Sequence, residues 1–429
     1  MRILVLDQTH GGDKIGAIYA ARGHDVTLVD IHRTMTPEDY DQAKAWGLKT
    51  VTESPAEMFD LVVVPVHCPD HFIGQAKYSR RMGHHQAVGE LIRFDYPVIE
   101  VTGTSAKTST CSILAHILSK AGKKVLLHSS RGDFEYSDGI KMLKENTSIA
   151  PASLIELSHL KGYDVAVAEV SLGGTGISQV SVITTIGDNY DIAERTRKAF
   201  DGKVTMLEYA WDKIVIPENE QSLWEAHIPP TVDRVTFGAG GNIDVSFDLK
   251  LQIGVPVTVH VKIGDTVGDV ELPGTFLAPA YRTALKAAMA AAYAFGIEAP
   301  KIIEALQGFP GTPGRGEIER EGDWYLVRDR NPGVSARSIA WNLDILQNIY
   351  GIKDIGLVID PMNRKVCDRL DMNAILNVAK ARPSVKKVYM FDREKGDGAA
   401  CSDLPHIKNV SEVWAQHKVL LWCTKEGSR

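Results

Sequence analysis

The run Val98-Ile99-Glu100-Val101-Thr102-Gly103-Thr104-Ser105-Ala106-Lys107-Thr108-Ser109-Thr110 constrains this chain more than any other. An apolar strand runs into a tight turn of small residues, and the turn ends in Lys-Thr where a helix begins. Backbone N–H groups of such a turn, together with a helix N-terminus, converge on one point and suit a phosphate chain. Lys107 has the reach to meet β/γ-phosphates, and the Thr108 hydroxyl is a ligand for Mg²⁺. Gly103, Thr104, Ser105, Ala106, Lys107, Thr108 and Ser109 are therefore the expected nucleotide-binding residues. The spacing is a short G-T-x-x-K-T-[ST] form, not the common G-x-x-x-x-G-K-[ST].

The chain has 429 residues, which at roughly 150 residues per domain predicts three domains. A hydrophobic fraction of 44% is that of a globular protein. The formal charge of −6 argues against nucleic acid or an anionic membrane surface as partner. Cys68, Cys111, Cys367, Cys401 and Cys423 are scattered and without C-x-x-C spacing, so they read as reduced thiols. No apolar run approaches the roughly 18 residues of a membrane span. The chain opens as a strand, Arg2–Leu6, without a signal-peptide pattern, and a cytoplasmic location is expected.

Residues 2–6, 26–30 and 61–66 are short β-branched runs separated by helical stretches such as Asp13–Arg22. This alternation predicts a parallel α/β layer closing near Asp95-Tyr96-Pro97. After the phosphate loop, Ile113, Leu114, Ile117 and Leu118 share one helix face, and Gly122 ends the helix. Strands are expected at Lys124–His128, Asp164–Glu169 and Val180–Ile186, then a β-rich stretch 243–272 and an Ala-dense helix Tyr281–Phe295. Gly308–Gly314 reads as a linker. Beyond it, strands at Trp324–Arg328, Ile355–Asp360 and Val388–Phe391 predict another doubly wound layer.

Three pieces with chemical character follow the loop. Strand 164–169 delivers Glu169 at its carboxyl end, where ligands of open parallel sheets sit, so Glu169 is the expected Mg²⁺ ligand beside Thr108. Asp188 and Asp191, after strand 180–186, are either further metal or water ligands or ordinary turn residues. Arg315, in Gly314-Arg315-Gly316-Glu317, is a candidate phosphate contact, and Asp329 is a candidate for the ribose or a metal-bound water.

These motifs resemble the Mur ligases and their relatives, the folylpolyglutamate synthetases. The family pattern Gly-Thr-x-Gly-Lys-Thr-Thr appears as Gly103–Ser109, its magnesium Glu as Glu169, and its Gly-Arg-x-Glu junction as Gly314–Glu317. The resemblance implies a Rossmann-like N-terminal substrate domain (1–96), a central P-loop ATPase domain (97–313) and a Rossmann-like C-terminal domain (314–429). It also implies an ATP-dependent ligase using Mg²⁺, with Lys107, Glu169 and Arg315 as catalytic residues. Departures are visible. The loop glycine is Ala106, the family His is Asn189, and the polar helix start near adenine has become Gly274-Thr275-Phe276-Leu277-Ala278-Pro279-Ala280. Some members bridge metals with a carbamylated lysine, for which Lys198 and Lys203 are the candidates.

Within the family, Leu4–Gly12, the Thr-x-Ala-Lys-Thr-Ser-Thr loop and Glu169–Gly176 resemble the methanogen branch that completes coenzyme F-430. That branch implies a nickel tetrapyrrole substrate, with nickel brought in by the substrate alone. A propionate would be activated as an acyl phosphate and attacked by a carbon of the same ring. The expected substrate contacts are His10, Gly11 and Gly12, plus the basic run Lys77, Arg80, Arg81, His84 and His85, read otherwise as a solvated helix face. His67-Cys68-Pro69-Asp70-His71 reads as structural or pocket-lining in preference to a dedicated metal site. A Mur-type amide ligase that adds an amino acid is the alternative.

Overall fold

The computed structural model describes residues 1–361, 370–392 and 403–425. They fall into two units: Met1–Gly241 with Ala290–Ile297, and Asn242–Met289 with Glu298–Arg429.

The first unit begins with Arg2–Leu6 (β1), Asp25–Val29 (β2), Lys49–Val51 (β3), Met58–Val63 (β4) and Lys77–Met82 (β5). They pair in parallel in the order β3-β2-β1-β4-β5. Central β1 buries Ile3, Leu4, Val5 and Leu6 completely, because helices cover both faces of a parallel sheet. The helices are Gly12–Ala21 (α1), Pro37–Ala45 (α2) and His84–Leu91 (α3). Helix α2 starts on a capping box between Thr36 and Asp39 with Pro37 in its first turn.

The basic run at 77–85 is not a helix face. Lys77–Arg81 lie exposed on edge strand β5, whereas His84 and His85 are buried on the first turn of α3. Charged side chains suit a sheet edge, which they keep from pairing with another chain.

A second sheet of this unit is centred on Val98–Thr102 (β6), every residue of which is buried. Helix Lys107–Lys120 (α4) follows and packs Ile113, Leu114, Ile117 and Leu118 with no exposure, at about 1.5–3 kcal/mol per side chain. Val125–Ser129 (β7), Gly132–Tyr136 (β8), Ile140–Glu145 (β9), Val165–Glu169 (β10) and Val180–Ile183 (β11) join it in the layer. Strand β6 lies between β10 and β11, parallel to both. Antiparallel β8 and β9 extend the layer beyond β7 and were not foreseen from the sequence. Beyond β11, Lys213–Pro217 and Asp233–Phe237 add two parallel strands. Ile3, Val5, Leu61, Val98, Leu126 and Ala166 belong to one apolar cluster, so the two sheets of this unit share a core.

The second unit holds an antiparallel meander, Ile243–Phe247, Val257–Ile263 and Thr266–Leu272. Its other sheet runs in the order Arg315–Glu321, Trp324–Arg330, Val419–Thr424, Ile355–Asp360, Val385–Phe391, His406–Ile407, with only the first pair antiparallel. Strand Trp324–Arg330 is two residues longer than expected, so Asp329 lies on the strand and opposite Arg315. Cys68, Cys111 and Cys423 are free and buried, while Cys367 and Cys401 lie outside the described residues. Among the described residues no helix is long and apolar enough to cross a membrane.

Candidate active site

The phosphate loop is held open by its backbone. Gly103 has φ 145°, and a Cβ there would stand 1.9 Å from Thr184 Oγ1, so only glycine fits. Ala106 sits at φ 64°, in the left-handed region that favours glycine. The chain accepts that strain, about 1–2 kcal/mol, at the residue that starts α4. No side chain caps this helix, so its first N–H groups are left for an anion. Thr184 donates from Oγ1 to Ser105 O at 2.6 Å, and Thr104 N donates to Thr185 O at 2.9 Å. These bonds pin the loop to the chain leaving β11 and explain why that strand stops at Ile183.

Lys107 Nζ folds back to Gly103 O at 3.1 Å. Thr108 Oγ1 donates to Glu169 Oε1 at 3.1 Å, and Ser130 N donates to Glu169 Oε2 at 3.1 Å. Glu169 is 2% exposed. Parallel pairing of β10 with β6 sets Glu169 opposite Val101, and this register brings residue 169 to residue 108. A buried carboxylate beside a hydroxyl is an oxygen-only donor set that fits Mg²⁺.

Behind the loop lies Lys203, on Ala199–Lys203 (numbered α6, after the short helix Ser153–Leu157, α5) and 1% exposed. Burial pushes its amine far below the ordinary lysine range, and the charge of Lys107 pushes in the same direction. Lys198, by contrast, is exposed and paired with Asp191. Asp188 is exposed, its N–H donating to Thr104 Oγ1 at 3.4 Å. The glycines after Glu169 permit close packing. A Cβ on Gly173 would meet Thr205 Oγ1 at 2.3 Å and Gly202 O at 2.7 Å, and one on Gly174 would meet Met206.

A cavity of about 290 Å³ adjoins this segment, lined by His10, Pro65, His67, His84, His85, Ala150, Pro151, Ser171, Leu172 and Tyr190. His10 and His67 both face the buried carboxylate of Asp7, at 2.6 and 3.0 Å. These hydrogen bonds and charges hold Asp7 well below the usual carboxylate range although burial opposes them. His85 Nε2 donates to Ser171 O at 2.7 Å and His84 Nε2 to Leu6 O at 2.9 Å. Burial lowers their pKa values to about 4 and about 3. Both are therefore neutral and do not act as cations for a polyanion.

The expected substrate contacts thus divide. His10, His84 and His85 line the cavity. Gly11, at φ 89°, packs against Ala152, and Gly12 against the Asp7 carbonyl. Arg80 pairs with Glu90 at 2.9 Å and Arg81 with Asp70 at 2.6 Å on the exposed edge strand. Asp7, His32 and Glu100 were not foreseen. Glu100, fully buried on β6, accepts from Thr175 Oγ1 at 2.7 Å and Ser178 Oγ at 3.1 Å, which fixes the glycine-rich segment. A charged residue inside an apolar strand was the one available signal for it.

In the second unit, Arg315 stands between Gly314 and Gly316, both at positive φ, and its carbonyl accepts from Tyr281 OH at 2.8 Å. Asp329 is 7% exposed. Its two oxygens accept from Asn331 Nδ2 at 2.7 Å and Asn342 Nδ2 at 2.9 Å. Burial raises its pKa, and the Arg315 charge opposes that rise. The structure thus uses Asp329 to orient two amides.

An uncapped helix after a glycine turn, with a buried Thr–Glu pair beside its lysine, has the local form of a phosphate-binding loop on an α/β framework. Residues 101–193 match the model of the Mur ligase middle domain. The chain is 30% identical over 372 residues to coenzyme F(430) synthetase of Methanosarcina acetivorans, covering 79% of this chain and 78% of that protein. It is 25% identical over 225 residues to coenzyme F(430) synthetase of Methanocaldococcus jannaschii, covering 48% and 50%. The fold is that of MurF ligase from Thermotoga maritima in complex with ADP, at TM-score 0.59 and 15% identity over 93% of this chain and 91% of that one. The chain belongs to the Mur ligase family, with that family's three-domain α/β architecture.

Proposed function

We propose that this ATP-dependent ligase activates a propionate carboxylate of a nickel tetrapyrrole, the seco precursor of coenzyme F-430, and closes a carbocycle by intramolecular C–C bond formation. One observation carries the reading beside the similarity to coenzyme F(430) synthetases. The strand that ends in Glu169 continues directly into Ser171 and Leu172, which wall the histidine-lined cavity. Metal carboxylate and cavity thereby share one short segment. A cavity of about 290 Å³ takes an arm and edge of a macrocycle, since whole-ligand pockets run to about 300–1,000 Å³.

A free carboxylate is a poor electrophile because oxide would have to leave. Attack of the carboxylate oxygen on the γ-phosphorus of ATP releases ADP and gives an acyl phosphate. A ring carbon, having lost its proton, then attacks the acyl carbon, and inorganic phosphate leaves. The backbone of residues 103–106 and the N-terminus of α4 would hold the phosphates, with Lys107 beside them. Thr108 and Glu169 would hold Mg²⁺, which when bound neutralises charge on the phosphate oxygens. Lys203 is the better carbamate candidate, because CO₂ adds to a neutral amine and burial disfavours the charged form of this one. Carbamylation would place an anion near Lys107, whose charge disfavours a cation there.

The test is anaerobic incubation with Mg-ATP and the nickel seco precursor. The macrocycle should lose the mass of one water, with one ADP and one phosphate formed per ring closed. ADP formation only in the presence of an added amino acid, with a new C–N bond, would establish the amide-ligase alternative instead.

A further inference from the structure

We propose that Asp7, His10 and His67 form a binding site for one divalent transition-metal ion, separate from the magnesium site at the phosphate loop and independent of the ring-closure reading. Three donor atoms from two segments, the turn after β1 and the turn after β4, meet there. Asp7 Oδ2 lies 2.6 Å from His10 Nδ1 and 3.0 Å from His67 Nε2, and the two ring nitrogens are 3.1 Å apart. Neighbouring ligands at right angles, each about 2.1 Å from a metal, stand about 3.0 Å apart, whereas tetrahedral ligands stand about 3.4 Å apart. The triangle therefore matches one face of an octahedron, the two-histidine, one-carboxylate arrangement that leaves further positions open. His32 Nε2, 3.9 Å from Asp7 Oδ1, is near enough to add a fourth donor, and Asp7, His10 and His32 lie within the mutual reach a metal requires.

Hydrogen bonding alone accounts for this cluster less fully than a metal ion does. If both ring nitrogens carry protons aimed at Asp7 Oδ2, the two N–H groups crowd each other at 3.1 Å. If one nitrogen is bare, Asp7 Oδ2 keeps one imidazole donor, and Oδ1 has the His10 backbone N–H at 3.3 Å. A dication accepts all three lone pairs at once. The backbone is committed to the arrangement as well. Asp7 adopts φ 71° and ψ 82°, a left-handed conformation uncommon for a residue with a side chain and concentrated at functional sites. The Asp7 side chain is fully buried, while His10 and His67 are 36% and 25% exposed and line the cavity, so the open positions face a space where a carboxylate or carbonyl oxygen can bind.

The facial geometry also selects the occupant. A nickel ion inside a tetrapyrrole has four ring nitrogens around it and offers only two opposite positions, so it cannot take three ligands from one face. The site calls for a bare ion suited to imidazole and carboxylate, such as Zn²⁺, Co²⁺, Fe²⁺ or Ni²⁺.

The experiment uses the full-length chain, stripped with chelator and held in excess Mg²⁺ to fill the oxygen-donor site, with no tetrapyrrole present. Titration with Co²⁺ should show one bound equivalent by visible absorption, displaced by Zn²⁺. His67→Ala and His10→Ala should each weaken binding roughly 100-fold or more, since changes outside the ligand shell alone cost about 10–100-fold. His71→Ala, a change at an exposed neighbouring histidine, should leave it unchanged. Wild-type affinity of each variant for a non-hydrolysable ATP analogue shows that the fold survives. No Co²⁺ bound in the presence of Mg²⁺, or equal binding by wild type and both cavity variants, overturns the proposal.

Discussion

Glu169→Gln separates the chemical role of this residue from its structural one. In the folded chain the carboxylate accepts from Thr108 Oγ1 and from Ser130 N, both at 3.1 Å. A glutamine in the same place keeps Oε1 for Ser130 N–H. Its Nε2 then donates to Thr108 Oγ1, and that hydroxyl can turn toward Ser130 Oγ at 3.3 Å. No buried polar group is left unpaired, so the cost of about 1–3 kcal/mol for such a group is avoided. The expected stability change is under about 1 kcal/mol, a few degrees or less in thermal unfolding. The lost negative charge has no substitute. If Glu169 holds Mg²⁺ against the transferred phosphoryl group, losing a transition-state contact of about 2.7–4 kcal/mol lowers turnover about 10²–10³-fold. The requirement for Mg²⁺ should rise in parallel. The assay is ADP release against Mg²⁺ concentration, with thermal unfolding measured on the same preparations. Wild-type turnover with an unchanged Mg²⁺ dependence would refute the assignment, and a large fall in melting temperature would refute the hydrogen-bond argument.

Lys107→Ala should abolish ATP turnover while leaving macrocycle binding, read by the visible spectrum of the bound ligand, nearly intact. Gly103→Ala should destabilise the chain by more than the roughly 1–2 kcal/mol of a left-handed residue, because its Cβ meets Thr184 Oγ1 at 1.9 Å; denaturant unfolding reads the loss. Ala106→Gly relieves a similar strain of about 1–2 kcal/mol but frees the unfolded chain by about 0.4–1 kcal/mol, so the measured stability should rise by about 1.6 kcal/mol at most. His84 and His85 have folded pKa values of about 3 and about 4, below the ordinary 6.5, so between these limits the unfolded chain binds more protons. Stability is then full above about pH 6.5 and falls as the pH drops toward 4. His85→Asn, which retains a donor for Ser171 O, should flatten that acid limb in melting temperature measured against pH.

Short-range rules made much of this protein legible before its structure. Strand, turn and helix around Gly103–Thr108 are contiguous, and each step has its own local cause: a β-branched run, small turn residues, then a helix N-terminus. The apolar face of α4 follows from a periodicity of 3.6, and the three α/β layers from alternating strands and helices. Glu169 could be singled out because it ends a buried strand, and strand ends are where parallel sheets bind ligands. Tertiary structure decided the rest, because burial and convergence depend on residues far apart in the chain. Nothing local distinguishes Lys203 from Lys198, yet packing under Gly173 and Gly174 buries the first and leaves the second in an exposed pair with Asp191. The basic run at 77–85 looks continuous in sequence, but the end of β5 at Met82 divides it into a solvated edge and two neutral histidines. Asp7, His10, His32 and His67 come from turns that follow three different strands, and only the parallel order of β2, β1 and β4 brings those turns to one end of the sheet.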